Sequence, residues 1–129
     1  MVPMSNLHSV RSDYHGDPLP EDLTGIDPWA LFDSWVQEAL DHAAEPTAMV
    51  LNTVDADGRP QSRVVLLKEY SPEGLTFFTN YDSAKGQEIE NNPTVGALLW
   101  WPSTMRQIRA LGTAEKVSRE ESEAYFASR

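Results

Sequence analysis

Residues 47–68 read TAMVLNTVDADGRPQSRVVLLK, two β-rich runs on either side of Asp55-Ala56-Asp57-Gly58. The Asp-Gly pair suits a tight hairpin turn, because both residues tolerate the backbone conformations such turns demand. Thr47 to Val54 and Gln61 to Lys68 are therefore expected to run antiparallel. Further on, Ser71-Pro72-Glu73-Gly74 is a second turn signal and Leu75 to Thr79 a third strand, so the centre of the chain reads as a meander.

Upstream, Asp27 followed by Pro28 is a helix start, a capping carboxylate before a proline at the first helical position. Phe32, Trp35, Val36, Ala39 and Leu40 form one apolar stripe, which predicts a helix over 28–43, ended by Pro46. Residues 1–26 carry Pro3, Gly16, Pro18, Pro20 and Gly25 among polar neighbours, a composition that sustains no periodic element and reads as a mobile arm. Downstream, Ser83 to Asn91 reads as a short helix stopped by Asn92-Pro93, because the residue before a proline avoids helical geometry. Thr94 to Trp101 reads as a buried strand. Gln107 to Val117 reads as a long strand with a bulge at Gly112. Ser118 and Glu121 form a capping box that opens a last helix to Ser128.

These elements predict a mainly β domain over 27–129, an antiparallel barrel or strongly curved sheet with helices outside it. The chain stops directly after a helix, so the barrel is expected to be completed by further residues or by a partner chain. Val95 to Leu99 with Trp100 and Trp101 carries more apolar side chain than an open sheet and one stable helix can cover, and dimerisation is the expected solution.

The 129 residues allow one domain, and 40% hydrophobic with 23% charged residues is a globular composition. A net charge of −10 repels nucleic acid and anionic membrane surfaces. Its distribution is uneven: residues 1–60 hold eleven acids and only Arg11 and Arg59 as bases, whereas residues 61–129 hold nine acids and eight bases. A small anionic ligand of the second half fits that pattern. Cysteine is absent, which excludes disulfides and thiolate chemistry and suits a reducing cytoplasm. The N-terminus lacks an apolar targeting core, and no apolar run approaches the roughly 20 residues of a membrane span.

Strand alternation sends Arg63 and Lys68 to opposite sides unless a bulge intervenes, so they need not serve one ligand; equally, each could end the buried run and reach solvent. Asp82-Ser83-Ala84-Lys85 opens the short helix, where free amides and the dipole favour an anion, although a serine there also serves as a plain cap. Gln107 could offer a heterocycle paired donor and acceptor groups, or lie on an exposed face. Trp100 and Trp101 read as packing residues. His8, His15 and His42 lack metal-ligand spacing, and none suits a Ser-His-Asp triad.

At Arg63-Val64-Val65-Leu66-Leu67-Lys68 the chain resembles the pyridoxamine 5′-phosphate oxidase family, whose members carry an R-[IV]-V-L-L-K strand. Glu45 to Val50, Phe77-Phe78-Thr79-Asn80, Ser83-Ala84-Lys85, Ile89 to Pro93, Arg106-Gln107 and Tyr125 to Arg129 follow in family order, with a weaker match at Arg11-Ser12-Asp13-Tyr14. Family members continue with a Gln-Ser pair, a tryptophan and an Arg-x-His segment, so the resemblance implies a C-terminally incomplete chain. Where many members have arginine before the helix lysine, this chain has Ala84.

The resemblance implies a split β-barrel of the FMN-binding type, a cytoplasmic homodimer with flavin at the subunit interface. Arg63 and Lys85, with Ala84 beside them, would hold the FMN phosphate. The strand Val64, Val65, Leu66, Leu67 to Lys68, together with Phe78 and Thr79, would line the flavin, and Gln107 would hydrogen-bond it. Lys68, Tyr125 and Arg129 would hold the phosphate of the vitamin B6 substrate, with Arg11 and Tyr14 closing over it. The implied reaction oxidises pyridoxamine or pyridoxine 5′-phosphate to pyridoxal 5′-phosphate with oxygen as acceptor. A related flavin oxidase of phenazine biosynthesis and a non-catalytic flavin- or B6-binding module are the alternatives.

Overall fold

The computed structural model describes Leu7, residues 18–79 and residues 84–117. Helix α1 spans Pro28–His42, and strands β1 (Ala48–Val54), β2 (Pro60–Ser71) and β3 (Gly74–Phe77) follow. Helix α2 (Ala84–Asn91) leads into β4 (Thr94–Trp101) and β5 (Arg106–Thr113). All strand pairings are antiparallel, in the order β3-β2-β1-β4-β5, and the sheet curls into half a barrel.

Helix α1 starts where Asp27 accepts a hydrogen bond from the Trp29 amide at 3.0 Å, with Pro28 filling a position that needs no donor. Its buried face is Phe32, Val36 and Ala39, narrower than the expected stripe because Leu40 faces solvent. Phe32 meets Trp29 and Tyr70 edge to face, centroids 5.8 and 5.2 Å apart. The Tyr70 hydroxyl donates to Asp33 at 2.5 Å and ties α1 to β2; that bond holds the phenol above its usual pKa.

In β1, Met49, Leu51 and Thr53 face the core while their neighbours are half-buried, the period of two expected of a sheet with unequal faces. Val65 and Leu67 of β2 and Leu99 and Trp101 of β4 complete that inner layer. The Trp101 indole donates to the Pro46 carbonyl at 2.8 Å, so its one polar atom is satisfied inside the core.

The hairpin between β1 and β2 closes where the sequence indicates. Asp55 Oδ1 accepts from the amides of Asp57 and Arg59, both at 2.9 Å, and Gly58 takes φ 81°, a conformation that costs other residues a steric clash. Four expectations need correction. Pairing of β4 with β5 runs without interruption through Val95↔Gly112, so no bulge lies at Gly112; the one register shift falls between Leu67 and Glu69, where β2 passes from β1 to β3. Strand β5 ends at Thr113: the Ala114 amide still donates to the Pro93 carbonyl at 2.8 Å, but proline has no N–H to return the bond and the ladder stops there. Strand β2 runs on to Ser71, and β3 ends at Phe77 rather than Thr79. The arm up to residue 17, apart from Leu7, and the last helix over 118–128 lie outside the described residues. None of the described helices is long and apolar enough to cross a membrane.

Candidate functional site

Arg63 occupies the inner row of β2 with Val65 and Leu67, opposite Leu51 of β1. Its side chain crosses β1 rather than reaching solvent. Nη1 donates to the Leu51 carbonyl at 3.3 Å and to Thr53 Oγ1 at 2.6 Å, and Nη2 donates to Glu88 Oε2 at 3.0 Å. Thr53 donates in turn to the same Glu88 oxygen at 2.5 Å. The three side chains form a closed ring, with arginine and glutamate both half-buried.

Glu88 reaches this ring because α2 packs on β1, with Gly86 buried on the facing side. Lys85 lies three residues before Glu88, one turn away on the same helix face, and is half-buried. Lysine and glutamate therefore stand side by side over the strands that carry Arg63 and Thr53.

A cavity of about 970 Å³ opens on the inner face, walled by Met49, Leu51, Phe77, Thr79, Gly86 and Glu90 among others; the Arg63–Thr53–Glu88 ring does not line it. The end of β3 and the first turn of α2 thus border one space. The Thr79 hydroxyl is buried there without a hydrogen-bond partner among the described residues, and a buried hydroxyl of that kind calls for a partner outside them. Arg63 and Lys85, on the adjoining β2 and α2, supply cationic donors, the chemistry a phosphate-bearing cofactor requires, with the Glu88 carboxylate already on Arg63.

The remaining candidates divide between the two faces. Val65 and Leu67 lie in the core, whereas Val64, Leu66 and Lys68 are exposed. Lys68 stands at the register shift, where strict alternation ends. Gln107 is exposed and pairs across the ladder with exposed Trp100, while its neighbour Arg106 is buried under Trp35, guanidinium carbon 4.5 Å from the ring centre. Val64 pairs with Val50, which pairs with Leu98, so β2, β1 and β4 share one outer surface. Phe78 is half-buried and Ala84 exposed at the start of α2. The structure brings Arg63 and Lys85 to neighbouring elements and sets Val64, Leu66 and Gln107 on the opposite face. Arg11, Tyr14, Tyr125 and Arg129 lie outside the described residues.

Sequence reasoning missed Thr53 and Glu88. Thr53 carried a signal, a polar residue in register with two buried apolar ones; Glu88 carried only its spacing from Lys85. Among the described residues no group of histidines and carboxylates could hold a metal.

A curled antiparallel sheet, hairpin-connected and flanked by helices, is the split β-barrel fold. The chain belongs to the pyridoxamine 5′-phosphate oxidase family, whose model matches residues 36–129. It is 44% identical over 122 residues to a pyridoxine/pyridoxamine 5′-phosphate oxidase of Microcystis aeruginosa, covering 94% of this chain and 57% of the relative. A protein of the same name from Actinobacillus pleuropneumoniae is 48% identical over 125 residues, 96% of this chain and 59% of that one. The chain thus spans under three-fifths of the length of these relatives. Among solved structures, PhzG from Burkholderia lata, in complex with tetrahydrophenazine-1-carboxylic acid, superposes with a TM-score of 0.80 at 29% identity, over 88% of this chain and 58% of that one. A pyridoxamine 5′-phosphate oxidase-related, FMN-binding protein from Nostoc punctiforme shares the fold with a TM-score of 0.62 at 21% identity, over 78% of this chain and 56% of that one.

Proposed function

We propose that this chain is the cofactor-binding part of an FMN-dependent oxidase that converts pyridoxamine or pyridoxine 5′-phosphate to pyridoxal 5′-phosphate, with oxygen as electron acceptor. The observation that carries the reading is identity of 44 to 48% with oxidases of that name, spread over 94 to 96% of this chain. Arg63 and Lys85 on adjoining elements support it, because a guanidinium and an ammonium are well matched to a phosphate monoester.

In this reading Arg63 and Lys85 hold the cofactor phosphate. Val64 to Leu67, Phe78 and Thr79 line the flavin, and Gln107 hydrogen-bonds it. Exposed Lys68, with Tyr125 and Arg129, holds the substrate phosphate, and Arg11 and Tyr14 close over it. FMN, when bound, supplies a two-electron acceptor that returns its electrons to oxygen as peroxide. The chain's own work is to fix two phosphates, so that the substrate carbon and the flavin ring meet at reacting distance. The outer face of the sheet, which carries Val64, Leu66, Trp100 and Gln107, is the surface on which a second subunit would complete each site.

The test is purification followed by assay. The protein should bind FMN and turn over pyridoxine 5′-phosphate with stoichiometric hydrogen peroxide. A colourless protein that takes up no added FMN would refute the reading. The superposition on PhzG favours a second reading, a flavin oxidase acting on a tricyclic phenazine precursor. Turnover of tetrahydrophenazine-1-carboxylic acid in preference to pyridoxine 5′-phosphate would select it.

A further inference from the structure

Arg63 offers five N–H groups, and three are directed at protein acceptors: the Leu51 carbonyl, Thr53 Oγ1 and Glu88 Oε2. The third acceptor is a full negative charge. A phosphate that approaches this guanidinium either displaces the Glu88 carboxylate or sits beside it, and both cost binding free energy, through a broken half-buried ion pair or through like-charge repulsion. Thr53 strengthens the carboxylate's hold by donating to the same oxygen. No second arginine compensates in α2, because position 84 is alanine, and Lys85 is the one cation of that helix.

We propose that Glu88 is a built-in competitor for the cofactor phosphate: its carboxylate occupies Arg63 and sets how weakly this chain holds FMN. The proposal rests on the reading of Arg63 as a phosphate ligand and deepens it. Glu88 makes affinity depend on the phosphate specifically, since a flavin without phosphate has no reason to move it. Asp57, in the hairpin turn, is the internal control. It is an exposed carboxylate 3.0 Å from Arg59 and carries the same charge away from the cavity.

Flavin-free protein is titrated with FMN and, separately, with riboflavin, following the quenching of flavin fluorescence. Glu88→Gln keeps an acceptor for Arg63 and Thr53 and removes only the charge. It should bind FMN about tenfold more tightly, the size expected for removing one half-buried charge beside a phosphate, while riboflavin affinity stays unchanged. Asp57→Asn should change neither. FMN affinity that is unchanged or weaker in Glu88→Gln, or a parallel gain for riboflavin, would overturn the proposal. If Glu88→Gln does not fold, Glu88→Asp, which withdraws the carboxylate by one methylene, should likewise bind FMN more tightly, and unchanged or weaker binding counts against the proposal in the same way. Absence of FMN binding in wild type and variant alike would instead defeat the flavin reading, and the competitor with it. That result is distinct from flavin binding that ignores the charge at position 88.

Discussion

At the scale of single residues, Arg63 and Lys68 separate what proximity in sequence suggests is one function. Arg63 lies half-buried against β1 and α2, and Lys68 is exposed at the point where β2 changes partner. Arg63→Ala should therefore release FMN, seen as loss of flavin absorbance after dialysis, whereas Lys68→Ala should retain flavin and raise KM for pyridoxine 5′-phosphate. Equal flavin loss in both would show the division to be wrong. Arg63 and Lys85 could be nominated from the sequence because both lie in stretches that resemble the family, and the structure sets them on adjoining elements. Glu88 could not, since an acidic residue on a short polar helix usually faces water and only the packing of α2 on β1 turns it inward. Asp55 gives a separate expectation. Its bond from the Arg59 amide, ahead of those from Gln61 and Asp57, holds its carboxyl below the usual carboxylate range. A carboxyl depressed on folding adds stability that is present above its unfolded pKa and is lost as pH falls through its folded value. Asp55→Asn should accordingly flatten the acid side of the melting temperature against pH curve, and an unchanged acid limb would remove Asp55 from that role.

At the scale of elements, the hairpin and α1 were legible because local chemistry and tertiary packing agree there. Asp27 and Asp55 accept the amide bonds that start the helix and close the turn, Pro28 fills a position that needs no donor, and Gly58 takes the positive φ the turn requires. The bulge at Gly112 was misread because glycine is permissive rather than directive: it allows a register shift, and here the ladder to Val95 does not use it. The shift at Leu67/Glu69 has no glycine near it. It arises where one long strand must serve two neighbours, which only the assembled sheet reveals. Within α1 the apolar stripe overstates the core, and the difference is measurable. Val36→Ala, in the buried row, should cost about 1 to 3 kcal/mol in urea unfolding, since it opens a cavity that its neighbours fill only in part. Leu40→Ala, at a position 51% exposed, should stay within about 0.5 kcal/mol. Asp27→Ala should cost about 1 kcal/mol by leaving the Trp29 amide uncapped. Equal costs at positions 36 and 40 would mean that the helix packs by a different face.

At the scale of the whole molecule, the two faces of the sheet have opposite accounts. The inner face carries the core beneath α1 and the cavity that Met49 and Leu51 help to wall. The outer face leaves Val64 at 64%, Leu66 at 44%, Trp100 at 46% and Leu111 at 90% exposure, on strands whose registers join them into one surface with half-buried Val50 and Leu98. Soluble monomers rarely keep an apolar surface of that extent uncovered, and a second copy meeting it across a two-fold axis is the economical cover. Adjacent tryptophans make the inference testable, because they fall on opposite faces. Trp101 is fully buried with its indole bonded to Pro46, so Trp101→Glu should unfold the chain and says nothing of assembly. Trp100→Glu and Leu111→Glu leave the core intact, and each places a charge on the outer face. Both should shift a dimer toward monomer in sedimentation velocity at micromolar concentration, with circular dichroism unchanged. Trp100→Glu should also lower FMN uptake, because Gln107 is its cross-strand neighbour and each flavin would touch both subunits. A wild-type monomer that binds FMN stoichiometrically would overturn the shared-site model while leaving family membership intact.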